Sequence, residues 1–255
     1  MGARLGQHFL SDPGILRRIA DAALLTARDT VLEIGPGRGT LTRELAARAA
    51  RVVAIEADRA LAASLAQAME GTNVTVVGGD ALRVAWPAVD VVAGNIPYQI
   101  TTPLIERALR PPRPARIVFL VQREVADRLA AGPGTKSYGA LSAGVQLVAV
   151  VERLFGVSAG AFRPPPRVES AVVRITPRAE PLVRDDADEA AARRFIQALF
   201  QRRRQQIQRS IREASGLDAP ATLGILGQLG IPPATRAEEL SPGQLVALAR
   251  LAPPV

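Results

Sequence analysis

The chain has 255 residues, 48% of them hydrophobic and 22% charged, which is enough apolar sequence to bury a core and excludes wholesale disorder. It has no cysteine and a single histidine, which excludes disulfides, thiolate catalysis and metal sites built from several cysteines or histidines, and fits a reducing compartment. Its 32 Lys and Arg residues against 24 Asp and Glu give a net charge of +8, a surplus that indicates a polyanionic partner.

No apolar stretch approaches the roughly 20 residues that a membrane span needs. The N-terminus has no apolar region between a basic start and a cleavage site, so it is not typical of a secretory signal. We therefore predict a cytoplasmic protein with no membrane partner and no bound metal.

The first two thirds of the chain alternate β-rich runs with helical segments, which is typical of an α/β fold with a parallel sheet. The predicted strands are Thr30–Ile34, Val52–Ile55, Val74–Val77, 89–93, Arg116–Val121, 146–155 and 170–176. The predicted helices between them are Pro13–Ala23, 41–47, Arg59–Met69, 102–109 and Arg123–Ala131. Near-continuous apolar strands such as D-V-V-A-G indicate burial on both faces of the sheet.

A segment rich in proline and acidic residues, 176–189, interrupts this alternation. Helical patterns follow it at 190–214, 221–229 and 241–251. The sequence therefore predicts a catalytic α/β domain over residues 1–178 and a small helical domain over 179–255.

A glycine-rich segment, V-L-E-I-G-P-G-R-G-T-L-T, leads from the first strand of this array into a helix. Gly35, Gly37 and Gly39 permit a tight turn and a close approach of the backbone to a ligand. Thr40 stands where the nicotinamide fingerprint needs its third glycine, and no G-K-[ST] follows as in a phosphate-binding P-loop. The G-x-G-x-G spacing instead resembles motif I of class I S-adenosylmethionine-dependent methyltransferases, which share a Rossmann-like fold.

Acidic residues follow the next two strands. Glu56 ends R-V-V-A-I-E, where a methyltransferase needs an acceptor for both ribose hydroxyls, and Asp80 follows V-T-V-V-G-G, where it could receive the adenine 6-amino group. Ligands of α/β sheets bind at such strand ends. We therefore predict a cofactor site that includes Gly35, Gly37, Glu56 and Asp80.

The fourth strand is followed by N-I-P-Y, which carries Asn95, Pro97 and Tyr98 and matches a signature of methyltransferases that modify a planar exocyclic amine. The Asn95 side-chain oxygen and a backbone carbonyl next to Pro97 could hold the amine hydrogens and direct the nitrogen lone pair at the methyl group. Tyr98 offers a ring for a flipped base. Phe162, held before three prolines, could cover the base from the opposite side.

Seven arginines and no acid lie between positions 193 and 212, and the first ten residues also lack an acid. A solvated helix face normally mixes the two signs of charge, so we predict that this run contacts RNA phosphates. The predicted RNA-binding residues are Arg202, Arg203, Arg204 and Arg209.

Together these segments, with L-G-Q-H-F-L, F-R-P-P-P-R-V-E-S and R-A-E-E-L-S-P, make the chain similar to the small-subunit ribosomal RNA adenine dimethyltransferases (KsgA type). The resemblance implies dimethylation of two adjacent adenosines in the 3′-end hairpin loop of 16S rRNA, on a pre-30S particle, with S-adenosylmethionine as donor and S-adenosylhomocysteine as product. It implies cofactor contacts at His8, Leu10, Gly35, Glu56, Asp80 and Asn95. His8 departs from the asparagine that is common at this position of the family.

Three alternatives stay open from the sequence. The chain could modify large-subunit rRNA, although the C-terminal domain disfavours this. It could be a non-catalytic assembly factor, which the acids and N-I-P-Y disfavour. It could methylate a small molecule, which leaves the arginine run without a role. Nothing in the sequence requires more than a monomer.

Overall fold

The computed structural model describes residues 8–253, so the first seven residues of the acid-free N-terminal arm lie outside it. The chain forms two compact units. The first holds the described residues up to Ala126 together with Val151–Pro177, and the second holds Asp127–Val150 and the chain from Arg178 onward. Residues 127–150, which the sequence-based division places with the first domain, thus belong to the second unit. The predicted domain division and its roles stay a prediction.

The first unit is built on a sheet in which the strand order reverses beside the first long strand. The strands are β2 (Thr30–Ile34), β3 (Arg51–Glu56), β4 (Val74–Gly78), β5 (Val91–Asn95), β6 (Arg116–Gln122), β7 (Ala149–Val157) and β9 (Ser170–Pro177). Their order is β4-β3-β2-β5-β6-β9-β7. The pairs from β4 to β6 are parallel, and β9 runs antiparallel to β6. The chain leaves β2 toward β3 and returns at β5 on the other side, so a crevice opens at the carboxyl ends of β2 and β5.

One helix precedes these strands in the first unit, and the others follow β2, β3, β5 and β6. In chain order the helices are α1 (Pro13–Ala22), α2 (Thr40–Ala46), α3 (Arg59–Ala68), α4 (Thr101–Ala108) and α5 (Arg123–Ala130), the last of which continues into the second unit. Asp12 and Asp58 cap α1 and α3 by accepting hydrogen bonds from the first backbone N–H groups of each helix. The α/β class predicted from the sequence is confirmed.

A two-stranded ribbon brings the N-terminal arm to the crevice. Strand β1 (Phe9–Leu10) pairs antiparallel with β8 (Phe162–Arg163), with Leu10 opposite Phe162. Both Leu10 and Phe162 belong to the hydrophobic core below the ribbon. Burial of these two side chains anchors an arm that has little sheet pairing of its own.

The second unit is helical. Its helices are α6 (Ala140–Gln146), α7 (Asp186–Phe200), α8 (Ile207–Ser215), α9 (Ala219–Gln228) and α10 (Pro242–Leu251). Tyr138 is fully buried there, donates its hydroxyl to the Leu240 carbonyl at 3.0 Å, and meets the ring of Phe200 edge-on. None of the helices in residues 8–253 is long and apolar enough to cross a membrane.

One predicted strand is shifted, one helix was not predicted, and one predicted helix is wrong. The strand expected over 146–155 is present as β7 but begins at Ala149, and helix α6 over residues 140–146 was not predicted. The helix expected over 190–214 is two helices, α7 and α8, separated by turns. The break has a tertiary cause, because Ile207 donates its backbone N–H to the Thr235 carbonyl at 2.7 Å and Gln206 forms a β-bridge with Arg236.

Candidate active site

A cavity occupies the crevice at the carboxyl ends of β2, β3, β4 and β5. The glycine turn after β2, the ends of the other three strands and the N-terminal arm contribute its walls. The polar side chains that line it are those of His8, Glu33, Thr40, Glu56, Asp80, Asn95, Tyr98 and Gln99. The strand ends that carry the predicted cofactor residues therefore meet at one place.

The glycine turn is shaped by backbone conformations that other residues rarely adopt. Gly37 and Gly39 have φ angles of +57° and +75°. A Cβ atom on Gly37 would lie 2.9 Å from Cε1 of Phe9, and one on Gly39 would overlap the side chain of Leu65. These positions therefore need glycine both for their conformation and for space.

We expect Gly39→Ala to lower the free energy of unfolding by about 2–4 kcal/mol, because the left-handed conformation and the overlap with Leu65 both oppose a methyl group. Gly71→Ala is the matched control, since Gly71 has φ of +76° with nothing within 4 Å of its added Cβ. This control should cost only about 1–2 kcal/mol. Urea titrations of both variants measure the difference, and equal losses would show that packing at Gly39 contributes nothing.

Glu56 lies at the floor of the cavity with its carboxylate fixed by the backbone. It is 5% exposed; its Oε2 accepts from the Gly37 N–H at 3.0 Å and its Oε1 from the Asp58 N–H at 2.9 Å. A carboxylate has about four lone-pair directions, so each oxygen can accept one further hydrogen bond. The predicted partner of Glu56, a pair of ribose hydroxyls, suits such a group.

Asp80 follows β4 at the rim of the cavity. Its Oδ1 accepts from the Leu82 N–H at 2.9 Å, and its Oδ2 lies 3.5 Å from Nε of Arg83. Its side chain is 45% exposed. The carboxylate is therefore oriented by its own loop while one edge stays open to a ligand.

Asn95 ends β5, and its amide is oriented by the N-terminal arm. Nδ2 donates to the backbone carbonyl of His8 at 2.9 Å. The hydroxyl of Thr40 donates to the Leu10 carbonyl at 3.1 Å, which ties the same arm to the start of α2. Because this bond fixes the orientation of the amide, Oδ1, its one acceptor atom, is held in place for a hydrogen bond from a substrate.

Tyr98 stands one residue beyond Pro97, and its ring is held at both ends. Its backbone begins a 3₁₀ turn, and its hydroxyl shares a hydrogen bond of 2.8 Å with Ser170 Oγ. The ring is half-buried and lines the cavity. Phe162, the other predicted stacking residue, is fully buried in the core and does not line this cavity. The structure thus brings Asn95, Pro97 and Tyr98 together but leaves the Phe162 ring without a free face.

Glu33 is a cavity residue that the sequence reasoning missed. It lies on β2 and is 1% exposed, and its Oε2 has no hydrogen-bond partner among the described residues. Burial raises the pKa of its carboxyl to about 8, against the lowering effect of the nearby Thr42 hydroxyl and with a further rise from Glu56. An acid in the middle of the buried strand V-L-E-I-G was the available signal, since such a residue is rarely buried without a purpose.

The predicted RNA-binding arginines lie in the second unit around the break between α7 and α8. Arg202 and Arg209 form ion pairs with Glu213, and Arg203 pairs with Glu238. Arg204 is exposed and makes no ion pair within residues 8–253. Acidic residues outside positions 193–212 therefore neutralise part of the positive charge of the arginine run. A count of charges within the run does not include them.

No group of three or more His, Asp or Glu side chains that could hold a metal occurs within the described part of the chain.

Comparison of the chain with known proteins points to one protein family. A family model described as "Ribosomal RNA adenine dimethylase" matches residues 2–252. A protein of Synechococcus sp. named "Ribosomal RNA small subunit methyltransferase A" is 43% identical over 97% of this chain and 91% of its own length.

Two solved structures share the fold over nearly the whole chain. A dimethyladenosine transferase from Plasmodium falciparum superposes with a TM-score of 0.83 at 27% identity, covering 94% of this chain and 96% of that one. The 23S rRNA methyltransferase ErmE gives a TM-score of 0.78 at 30% identity, covering 96% and 99%. The prediction of an rRNA adenine dimethyltransferase is confirmed, and the chain belongs to the ribosomal RNA adenine dimethylase family.

Proposed function

We propose that this enzyme dimethylates N6 of two adjacent adenosines in the 3′-end hairpin loop of 16S rRNA, in the cytoplasm and during assembly of the small subunit, with S-adenosylmethionine as donor. Family membership and a near-full-length relative named for the small subunit support the choice of substrate. The enzyme acts as a monomer on a pre-30S particle in this proposal, with the α/β domain holding the cofactor and the helical domain contacting RNA.

The charge of the cavity is the observation that carries the choice of cofactor. Although the protein has a net charge of +8, the described cavity lining includes Glu33, Glu56 and Asp80 and no Arg or Lys. Glu56 and Asp80, together with Glu33 once a cation lies beside it and lowers its pKa, favour a cationic ligand and oppose one that carries phosphates. S-adenosylmethionine fits because its sulfonium and ammonium groups outnumber its single carboxylate and it has no phosphate.

The ribose, the adenine amino group and the cationic groups of the cofactor have suitable partners in this lining. Glu56 would accept from the ribose hydroxyls and Asp80 from the adenine amino group, while the turn at Gly35 and Gly37 allows close approach. Glu33, whose Oε2 lacks a partner among the described residues, would face a cationic group. His8 and Leu10 would close the site from the arm. When bound, the cofactor supplies an electrophilic methyl group.

The last residue of β5 and the backbone that follows it then activate the adenine 6-amino group. Asn95 Oδ1 accepts one hydrogen of the adenine 6-amino group, and a backbone carbonyl accepts the other. The Pro97 carbonyl already accepts from the Ile100 N–H and the Thr101 hydroxyl, so the Ile96 carbonyl is the better candidate. Two acceptors favour a pyramidal nitrogen whose lone pair is free to attack the methyl group in line. The methylated cation loses its proton readily, so no strong general base is needed.

A second candidate substrate is large-subunit rRNA. The similarity to ErmE, named a 23S rRNA methyltransferase, extends over 96% of this chain and 99% of that protein. The fold and the site therefore do not separate the two RNAs, and the identity of the labelled RNA must do so.

The test is mass spectrometry of nuclease-digested RNA after incubation of the enzyme with labelled S-adenosylmethionine and unmodified small subunits. Dimethyladenosine in the 3′-end hairpin is expected. Label that appears only in large-subunit rRNA offered in parallel would overturn the choice of substrate. Absence of label from both would leave a non-catalytic RNA-binding factor.

Arg204→Gln should weaken binding to small subunits and reduce the slope of log K against log salt by about 1, because one phosphate contact is lost. Arg202→Gln and Arg203→Gln should have smaller effects, since both arginines already pair with acids. Arg28→Gln is the matched control, because Arg28 is exposed just before β2, at the amino edge of the sheet. Filter binding at several salt concentrations measures the slopes, and equal slopes for Arg204→Gln and Arg28→Gln would remove the arginine run from the RNA footprint.

A further inference from the structure

The ring of His8 faces the ring of Tyr98 across the mouth of the cavity. Their centroids are 6.2 Å apart and their planes differ by 29°. Each ring is held from behind: His8 Nδ1 donates to the Pro164 carbonyl at 2.9 Å, and the Tyr98 hydroxyl bonds to Ser170 at 2.8 Å. Two stacked aromatic rings, inclined by 29°, are therefore fixed at the place where Asn95 ends its strand.

The distance between the two ring centroids is close to the distance needed to hold one planar base between them. Aromatic carbons pack at about 3.5 Å, so a base between two rings needs roughly 7 Å from centre to centre. The gap between the rings must therefore open by only about 1 Å. Phe162 cannot form the second wall as it stands, because its side chain is fully buried beneath the ribbon.

The arm can supply such an opening without a change of fold. His8 directly precedes the two-residue strand β1, which pairs only with the two-residue strand β8. Short edge ribbons of this kind open at low cost compared with the central sheet. A shift of about 1 Å at His8 is too small to break the strand pairing that holds Leu10 in the core.

We propose that the imidazole of His8 and the phenol of Tyr98 are the two walls that stack on the target adenine. The inference rests on the proposed function and deepens it by assigning the second wall to His8. The same residue orients the catalytic amide, because its backbone carbonyl accepts from Asn95 Nδ2. A base that enters between the rings thus meets Asn95 Oδ1 with its amino edge, and one residue fixes both the plane of the base and its acceptor.

The test compares three variants at this position. His8→Ala removes the ring but keeps the backbone carbonyl that orients Asn95, and His8→Asn keeps a donor for Pro164 without a ring. His8→Phe keeps a ring without that donor. We expect both ringless variants to raise KM for small subunits about tenfold, since base–aromatic stacking has this order of effect. His8→Phe should restore KM to within about threefold of the wild type.

Measuring the affinity for the cofactor distinguishes a His8 ring that stacks on the base from one that only contacts the cofactor. Any contact of the His8 side chain with S-adenosylmethionine is lost alike in all three variants, so calorimetry measures each Kd and KM for subunits is taken at saturating cofactor. The stacking role predicts a KM difference between His8→Phe and the two ringless variants that the Kd values do not follow. An unchanged KM in His8→Ala, or a loss confined to cofactor affinity, would overturn the stacking role. Failure of the proposed function is distinguishable, because the wild-type enzyme itself would then leave small-subunit RNA unlabelled.

Discussion

Asn95→Ala is expected to lower kcat by about 10²–10³-fold at saturating S-adenosylmethionine and small subunits. The reason is that the hydrogen bond from Nδ2 to the His8 carbonyl orients the amide, and Oδ1 is the one side-chain acceptor that it presents to the substrate amine. Loss of one oriented polar group of this kind, acting mainly in the transition state, has that order of effect. Cofactor affinity should fall only a few-fold, because Asn95 is one of several polar groups in the cavity. Single-turnover kinetics and calorimetry measure the two quantities.

Asn95→Asp is the matched variant for this experiment. Aspartate keeps an acceptor at the same position but cannot donate to the His8 carbonyl, and its carboxylate is repelled by that oxygen. We expect kcat to fall by about tenfold, between wild type and alanine. Thermal melting controls for folding. Normal turnover in Asn95→Ala would remove the amide from the mechanism.

The parts of this site that follow from the sequence are those fixed by a single strand and its end. Parallel strands finish at one edge of a sheet, so the placement of Glu56 and Asp80 after successive strands was enough to predict that they lie close together. The glycine turn and N-I-P-Y were predictable for the same reason. Each of these features depends on the residues at the end of one strand, and parallel strands bring those ends together.

The parts that did not follow depend on contacts between residues distant in sequence. His8 and Asn95 are 87 positions apart, and no local pattern predicts that bond. Phe162 precedes three prolines, which suggested a ring held rigidly over the base, yet its pairing opposite Leu10 places the ring in the core. The break between α7 and α8 contains neither glycine nor proline. It arises instead from the bond between Ile207 and Thr235.

In the second unit, counting charges along the sequence overestimates the positive charge of the surface. Seven arginines without an acid predicted a strongly positive surface, but Glu213 and Glu238 come from outside the run and meet three of them. Exposed ion pairs contribute little to stability, yet they reduce the charge offered to phosphates. Local charge counts therefore overestimate the number of phosphate contacts, and Arg204 becomes the residue to test first.

Glu33→Gln is expected to make the stability of the protein less dependent on pH. The pKa of Glu33 is raised from 4.5 to about 8 in the folded protein, so between these values the folded state keeps a proton that the unfolded state has lost. The contribution of Glu33 to stability then falls as pH rises from about 4.5 to about 8 and is constant outside that range. Glutamine cannot titrate, so this contribution, on the order of a few kcal/mol, should vanish.

Urea unfolding at pH 5 and pH 8 without cofactor measures this effect. A buried glutamine amide without a partner costs about 1–3 kcal/mol at any pH, so the informative quantity is the change in slope and not the absolute stability. The wild type should lose more stability between the two pH values than Glu33→Gln. Parallel pH profiles would show that Glu33 is not protonated in the folded protein.

The same residue links cofactor binding to a proton. A cationic ligand stabilises the ionised carboxylate, so binding of S-adenosylmethionine at pH 7 should lower the pKa of Glu33 and release its proton. Calorimetry in two buffers with different ionisation enthalpies should detect close to one proton released by the wild type and none by Glu33→Gln, with weaker cofactor affinity in the variant. Equal proton release by both proteins would mean that the positive groups of the cofactor lie away from Glu33. The acidic cavity would then have to hold the cofactor through Glu56 and Asp80 alone.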